Sequence, residues 1–244
     1  YPDGVAAARL ARRLGKPFVM TARGSDVTEL ANYPRQRRMI LDAVIRADAV
    51  IAVAAALKDD LVRLGAPAEK IRVLRNGVDL AMFRPIDRDA ARAALKVGGA
   101  VLASVGGLIP RKGHDIAVRA MAHLPAATLL IAGEGPEEAS LKALAVKEGV
   151  AARVRFLGQL PHEDLIGVYN AADALVLAST REGWPNVLLE AMACGTPAVA
   201  ADAGGAREAL LQGKVRARTI AGPYRRSDQR DRGPENGARR SAAF

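Results

Sequence analysis

The chain has 244 residues, half of them hydrophobic, so it can bury a sizeable core and is not disordered throughout. Its single cysteine, Cys194, excludes an intramolecular disulfide framework, and every apolar run breaks well short of the roughly 20 residues that a membrane-spanning helix needs. The net charge of +10 is concentrated at one end: residues 214–244 carry nine basic residues against three acids, which leaves the first 213 close to ordinary.

In chain order, short β-type apolar runs fall at 18–21, 49–53, 71–74, 101–105, 128–132, 154–157, 174–178 and 197–200. Segments of helical periodicity fill the gaps, at 4–14, 34–46, 55–64, 89–96, 114–123, 136–148, 162–171 and 186–194. This alternation is α/β, and nearly continuous apolar strands such as Leu129-Leu130-Ile131-Ala132 suit a parallel sheet covered on both faces. The Asn-Gly signal in Arg75-Asn76-Gly77-Val78-Asp79 is bridged by no helical pattern, so we read 1–84 as one α/β unit and 85–213 as a second. Past Gly213 the rhythm stops, and Arg, Gly, Pro and Ser replace the large apolar residues. A disordered basic tail is expected over 214–244, read as an out-of-frame or artificial end in preference to a nucleic-acid arm. The chain as given opens at Tyr1 with no initiator Met and no basic-then-apolar stretch, so no targeting segment is expected within it, Tyr1 is not expected to be a natural start, and the chain reads as cytoplasmic.

Three strand-to-helix turns offer chemistry. The first, Val105-Gly106-Gly107-Leu108-Ile109-Pro110-Arg111-Lys112-Gly113-His114, puts two adjacent cations in a Gly-rich loop, where a phosphate would find point-charge and forked donors. The second, Gly133-Glu134-Gly135-Pro136, is no dinucleotide fingerprint, since the third glycine of G-x-G-x-x-G falls on Glu138. The third runs from Ser179 through Glu182, Gly183, Trp184 and Pro185 into a helix with its N-cap expected at Asn186. There the free N–H groups of Val187, Leu188 and Leu189, with the positive end of the helix dipole, make an anion site flanked by Glu182 and Glu190. Taken singly, Glu190 reads as a solvated helix residue and Glu182 as a loop acid. His114 reads as a polar residue opening a helix, His123 and His162 as surface residues, and Cys194 as a packed small residue; no cluster has metal-ligand spacing.

Together these elements resemble glycosyltransferase family 4, the retaining, nucleotide-sugar-dependent enzymes of the GT-B fold. Glu182 and Glu190 match its E-x7-E motif, and further matches are the loop at 106–113, the turn at 133–136, the N-G-V-D-x-x-x-F-x-P linker at 76–85 and Gly24-Ser25-Asp26-Val27. The resemblance covers about 1–211 and implies two Rossmann-like parallel-sheet domains, the N-terminal one partial and on the acceptor side, the C-terminal one binding the donor. Carried over, it makes Lys112 a contact of the donor diphosphate, Glu190 of the ribose hydroxyls and Glu182 of the transferred sugar. Gly183, Trp184, Asn186, Val187 and Leu188 form the loop around them, and Lys112 and Glu182 carry catalysis.

Three departures from the family stand out. Gly107 occupies the place of the usual Arg, so Arg111 is the candidate substitute; Arg23, an acceptor-side candidate with Gly24 and Asp26, replaces a His; and Arg207 replaces a Pro beside Glu208. The resemblance further implies that strands are missing before Tyr1 and after Glu208, so the chain is expected to turn over little by itself. The function expected is sugar transfer from a nucleoside diphosphate sugar to a sugar, lipid or small-molecule hydroxyl, with no cofactor, no metal and no nucleic-acid partner, and with peripheral membrane association as an option. The alternatives are a non-catalytic nucleotide-binding fragment and, behind it, a nucleic-acid-binding protein acting through the tail.

Overall fold

The computed structural model describes residues 1–212 and 218–220. Its first sheet is built from α1 (Asp3–Leu14), β1 (Val19–Ala22), α2 (Ser25–Thr28), α3 (Pro34–Arg46), β2 (Ala49–Ala52), α4 (Ala55–Arg63) and β3 (Ile71–Val73), with strands in the order β1-β2-β3, all parallel. Local chemistry sets the element ends. Gly15, in the left-handed conformation at φ 58°, closes α1, and Pro34 opens α3 with its φ already suited to a first helical turn.

A linker then leads to α5 (Arg88–Leu95), capped by the Asp87 carboxylate accepting from the Ala90 amide at 3.0 Å. The second sheet follows: β4 (Ala100–Val105), α6 (His114–Ala120), β5 (Ala127–Ala132), α7 (Glu138–Lys147), β6 (Val154–Gly158), α8 (Leu165–Ala171), β7 (Ala174–Leu177), α9 (Asn186–Ala193), β8 (Ala198–Ala201), α10 (Gly205–Gln212) and β9 (Arg218–Ile220). All its pairings are parallel, in the order β6-β5-β4-β7-β8-β9, so the direction of winding reverses between β4 and β7. In such a sheet the loops leaving the carboxyl ends on either side of the reversal open a crevice. Leu129, Leu130 and Ile131 of β5 are fully buried; Leu130 joins a core shared with the first sheet, and its neighbours join a second core with Leu108, Val118 and Leu141. Among the described residues, no helix is long and apolar enough to cross a membrane.

One strand was not expected and one helix start is corrected. Within the basic tail Arg218–Ile220 pairs as β9, with Val199 opposite Arg218, where the open edge of β8 offers backbone partners. The rest of 214–244 lies outside the described residues. The helix expected from 162 begins instead at Leu165, after a turn in which the Asp164 amide donates to the Pro161 carbonyl at 3.1 Å.

The two sheets also meet. Glu208 on α10 accepts from the Ala55 amide at 2.8 Å, capping α4 where Ala54 supplies no side-chain acceptor, and it pairs with Arg75 beyond β3.

Candidate functional site

The loop after β4 passes through a 3-10 turn at Pro110–Lys112 and enters α6 through Gly113, whose φ is 68°. A Cβ there would lie 2.2 Å from the Ala178 carbonyl oxygen, so only glycine lets this loop press against the end of β7. The Thr180 amide donates to the Arg111 carbonyl at 2.8 Å and joins the two loops across the reversal.

Lys112 reaches across this junction, its Nζ donating to Oε1 of Glu182 at 2.7 Å, with the two side chains 17% and 7% exposed. An ammonium and a carboxylate, each mostly out of water and each retaining hydrogen-bonding capacity, thus share one small volume. Arg111 lies on the exposed side of the same loop. With Arg23, Gly24, Arg181, Glu182 and Trp184 it lines a polar cleft of about 170 Å³ between the two sheets. Gly183 closes the floor of this cleft, since a Cβ on it would fall 1.9 Å from the Arg23 carbonyl oxygen. Arg23 and Gly24 are therefore brought against the loop of Glu182, while Asp26 lies outside that cleft and accepts from the Tyr1 amino group at 2.9 Å.

Several readings change at α9. Asn186 is its first residue and is exposed; Pro185 takes the N-cap place without a side-chain hydrogen bond, and its carbonyl accepts the Leu188 amide at 3.1 Å. One of the three amides expected to be free is thereby satisfied within the chain, because the first turn winds tightly after proline. Asn186 Oδ1 faces Asn76 Nδ2 at 3.5 Å, and Trp184, 8% exposed, donates its Nε1–H to the Asn76 carbonyl at 3.1 Å. Neither Glu182 nor Glu190 is a solvated acid. Glu190 is 6% exposed and accepts from Tyr169 Oη at 2.7 Å and His162 Nε2 at 3.1 Å. Burial, reinforced by the Glu190 charge, pushes the Tyr169 phenol far up, so it stays a hydrogen-bond donor.

His162 keeps a 58% exposed side chain, as a surface residue should, yet its inner nitrogen belongs to the site. His114 does open α6, but it is buried at 2% exposure, its Nδ1 2.9 Å from Ser104 Oγ. Burial lowers its pKa despite the opposing backbone of Gly106 and Gly107. Cys194 is buried as expected, and burial pushes its thiol up to about 11, which makes it a poor nucleophile. Among the described residues, no group of three or more His, Cys, Asp or Glu is placed to hold a metal ion. The partners of Glu190 that sequence reasoning missed are Tyr169 and His162, which reach it from other elements, with Phe83 packed edge-on against both; the sequence signal for them was the aromatic residue of the linker motif.

A family model described as glycosyl transferases group 1 matches residues 86–230, and one described as Glycosyltransferase Family 4 matches residues 1–82. The D-inositol 3-phosphate glycosyltransferase of Mycobacterium tuberculosis is 44% identical over 157 residues, which are 61% of this chain and 32% of that protein. The chain thus spans about a third of the length of the curated relatives it matches. Among solved structures, Anabaena Alr3699/HepE in complex with UDP and glucose superposes with a TM-score of 0.80 at 28% identity, over 89% of this chain and 61% of that one. Sucrose-phosphate synthase from Thermosynechococcus elongatus does so with a TM-score of 0.79 at 27% identity, over 91% and 59%.

Proposed function

The chain belongs to the glycosyl transferases group 1 and has a GT-B architecture, and from that premise we propose that it moves a sugar from a nucleoside diphosphate sugar to an acceptor hydroxyl with retention of configuration. The observation that carries this reading is the meeting of Lys112 and Glu182, 2.7 Å apart, at the carboxyl edge of the sheet where the winding reverses.

The donor diphosphate lies against Lys112 and Arg111 and toward the positive end of α9, with Gly183, Trp184 and the backbone of Val187 and Leu188 around it. Once phosphate oxygens take up the Lys112 ammonium, the Glu182 carboxylate is released to accept from hydroxyls of the transferred sugar. Glu190 takes the ribose hydroxyls. The acceptor oxygen attacks the anomeric carbon from the face that the diphosphate leaves. The bond to the phosphate oxygen breaks as the new glycosidic bond forms, and the departing phosphate oxygen takes the acceptor proton. No protein nucleophile is required, and catalysis rests on charge stabilisation of the leaving group by Lys112, Arg111 and the helix end. The UDP bound in Alr3699/HepE supports a uridine nucleotide, and the relatives named for inositol 3-phosphate support a phosphorylated polyol as acceptor class.

Calorimetric titration with UDP and GDP, with and without EDTA, tests the site. Binding is expected to persist in EDTA, because this loop offers cations and amides to the phosphates. Lys112→Ala is expected to weaken binding by about 1.5–3 kcal/mol, the range for a hydrogen bond to a charged group. Loss of all binding on chelation, or full affinity without Lys112, would overturn the assignment. Product analysis by NMR, in which the donor's anomeric configuration must reappear in the glycoside, tests retention.

A further inference from the structure

The linker motif at 76–85 has no part in the chemistry above, yet it reaches the two side chains that bond Glu190. Asp79 Oδ1 accepts the amides of Ala81 at 2.9 Å and Met82 at 3.2 Å, a turn that delivers Phe83 into the core at 2% exposure. Beyond it Asn170 grips the chain, its Nδ2 donating to the Arg84 carbonyl at 3.2 Å and its Oδ1 accepting the Ile86 amide at 2.9 Å. Phe83 then meets two rings edge-on, His162 at 4.9 Å between centroids and Tyr169 at 6.0 Å. These are the same two side chains that donate to Glu190, Tyr169 to Oε2 and His162 to Oε1. Since the acceptor is a carboxylate, the proton of the imidazole is on Nε2.

A carboxylate has about four lone-pair sites. Tyr169 and His162 occupy one on each oxygen and leave one on each, the pattern that two adjacent hydroxyl donors require. We propose that Tyr169 and His162, braced by Phe83, are positioning residues that fix the plane of Glu190 so that its two remaining lone pairs receive the vicinal hydroxyls of the donor ribose. The inference rests on the ribose role proposed for Glu190 and makes the linker part of the donor site.

The test compares the dissociation constant of the tightest binder among UDP, GDP and ADP with that of its 2′-deoxy counterpart, using the chain as it stands. The wild type is expected to prefer the ribonucleotide about tenfold or more, as loss of one hydrogen bond to a charged group implies. Tyr169→Phe, which removes only the phenolic oxygen, is expected to shrink that preference about threefold or more while affinity for the 2′-deoxy ligand stays within about twofold. His162→Ala, at an exposed position, should shrink it as well, and His162→Gln, which can still donate, should restore it in part. Should Tyr169→Phe fail to fold, the His162 pair decides. Equal weakening of both ligands, with the preference intact, would mean packing only and overturn the positioning role. A wild-type preference near one, or no nucleotide binding by the wild type, would overturn the ribose assignment of Glu190 itself.

Discussion

His114 shows how burial alone changes what a residue does. It is held against Ser104, and burial, helped by Lys112, lowers its pKa against the opposing pull of the Gly107 and Gly106 backbone and of Asp115. In the unfolded chain it titrates near the ordinary value of about 6.5. Above that pH both states are neutral and His114 contributes no pH dependence. Below it the unfolded chain binds a proton that the folded chain refuses, so folding stability falls with pH by at most about 1.4 kcal/mol per unit until the lowered folded pKa is reached. Denaturant unfolding at pH 7.5, 6.5 and 5.5 should therefore show His114→Gln closing on the wild type as the pH drops. A constant gap across the three values would mean that His114 does not resist protonation. The Lys112 and Glu182 pair differs in kind: the two side chains satisfy each other, and each can exchange that partner for a ligand.

At the scale of elements, the site is an arrangement of loops whose backbones nearly touch. Gly183 marks the closest approach, because any side chain there would overlap the Arg23 carbonyl at 1.9 Å and force apart the loops after β1 and β7. Gly183→Ala is expected to cost about 1–3 kcal/mol, as overpacking does, and to weaken nucleotide binding by shifting Glu182. Gly167, inside α8 with nothing within 4 Å of its Cβ position, is the control. Gly167→Ala should be neutral or stabilise by up to about 1 kcal/mol through helix propensity. Thermal melts and UDP titrations of the two variants check this, and equal effects would show that the close contact does not constrain the loops.

At the scale of the molecule, a continuous core joins the sheets, with the Glu208 clasp and the Arg181–Glu29 ion pair among the polar links. Glu208 supplies the acceptor that α4 lacks and pairs with Arg75, while Val50, Leu57 and Leu61 share a cluster with Leu130, Val168 and Leu188. Glu208→Ala should cost about 1–2 kcal/mol, the value of a lost helix cap with its charge. That corresponds to a melting temperature lower by about 2–8 °C for a domain of this size. Arg75→Ala should cost less, since its side chain is 38% exposed and the backbone cap survives without it. A Glu208→Ala variant melting with the wild type would show that the clasp contributes nothing.

The sequence alone determined the α/β alternation, strands β1 to β8 to within a residue or two, and the three Gly-containing turns. These depend on signals inside short windows: apolar runs bounded by turn residues, and glycine where the chain doubles back. It also singled out Lys112 and Glu182, charges beside glycine at strand-to-helix turns, while Glu190 was picked out by its match to the family's E-x7-E motif. Only the tertiary structure decided what these residues touch. Lys112 meets Glu182 across 70 positions, and Glu190 receives Tyr169 from 21 positions away and His162 from 28. The strand at Arg218–Ile220 was illegible because its pairing is set by the edge of β8 and not by an apolar run of its own. The expected cap at Asn186 failed for a related reason, since Pro185 settled the first turn and Asn186 turned toward Asn76, 110 positions earlier. Periodicity reports which face of an element is buried; it carries no information on which distant side chain will lie against that face, and in this protein those distant contacts are what bring two glutamates and a lysine to their partners in the proposed site.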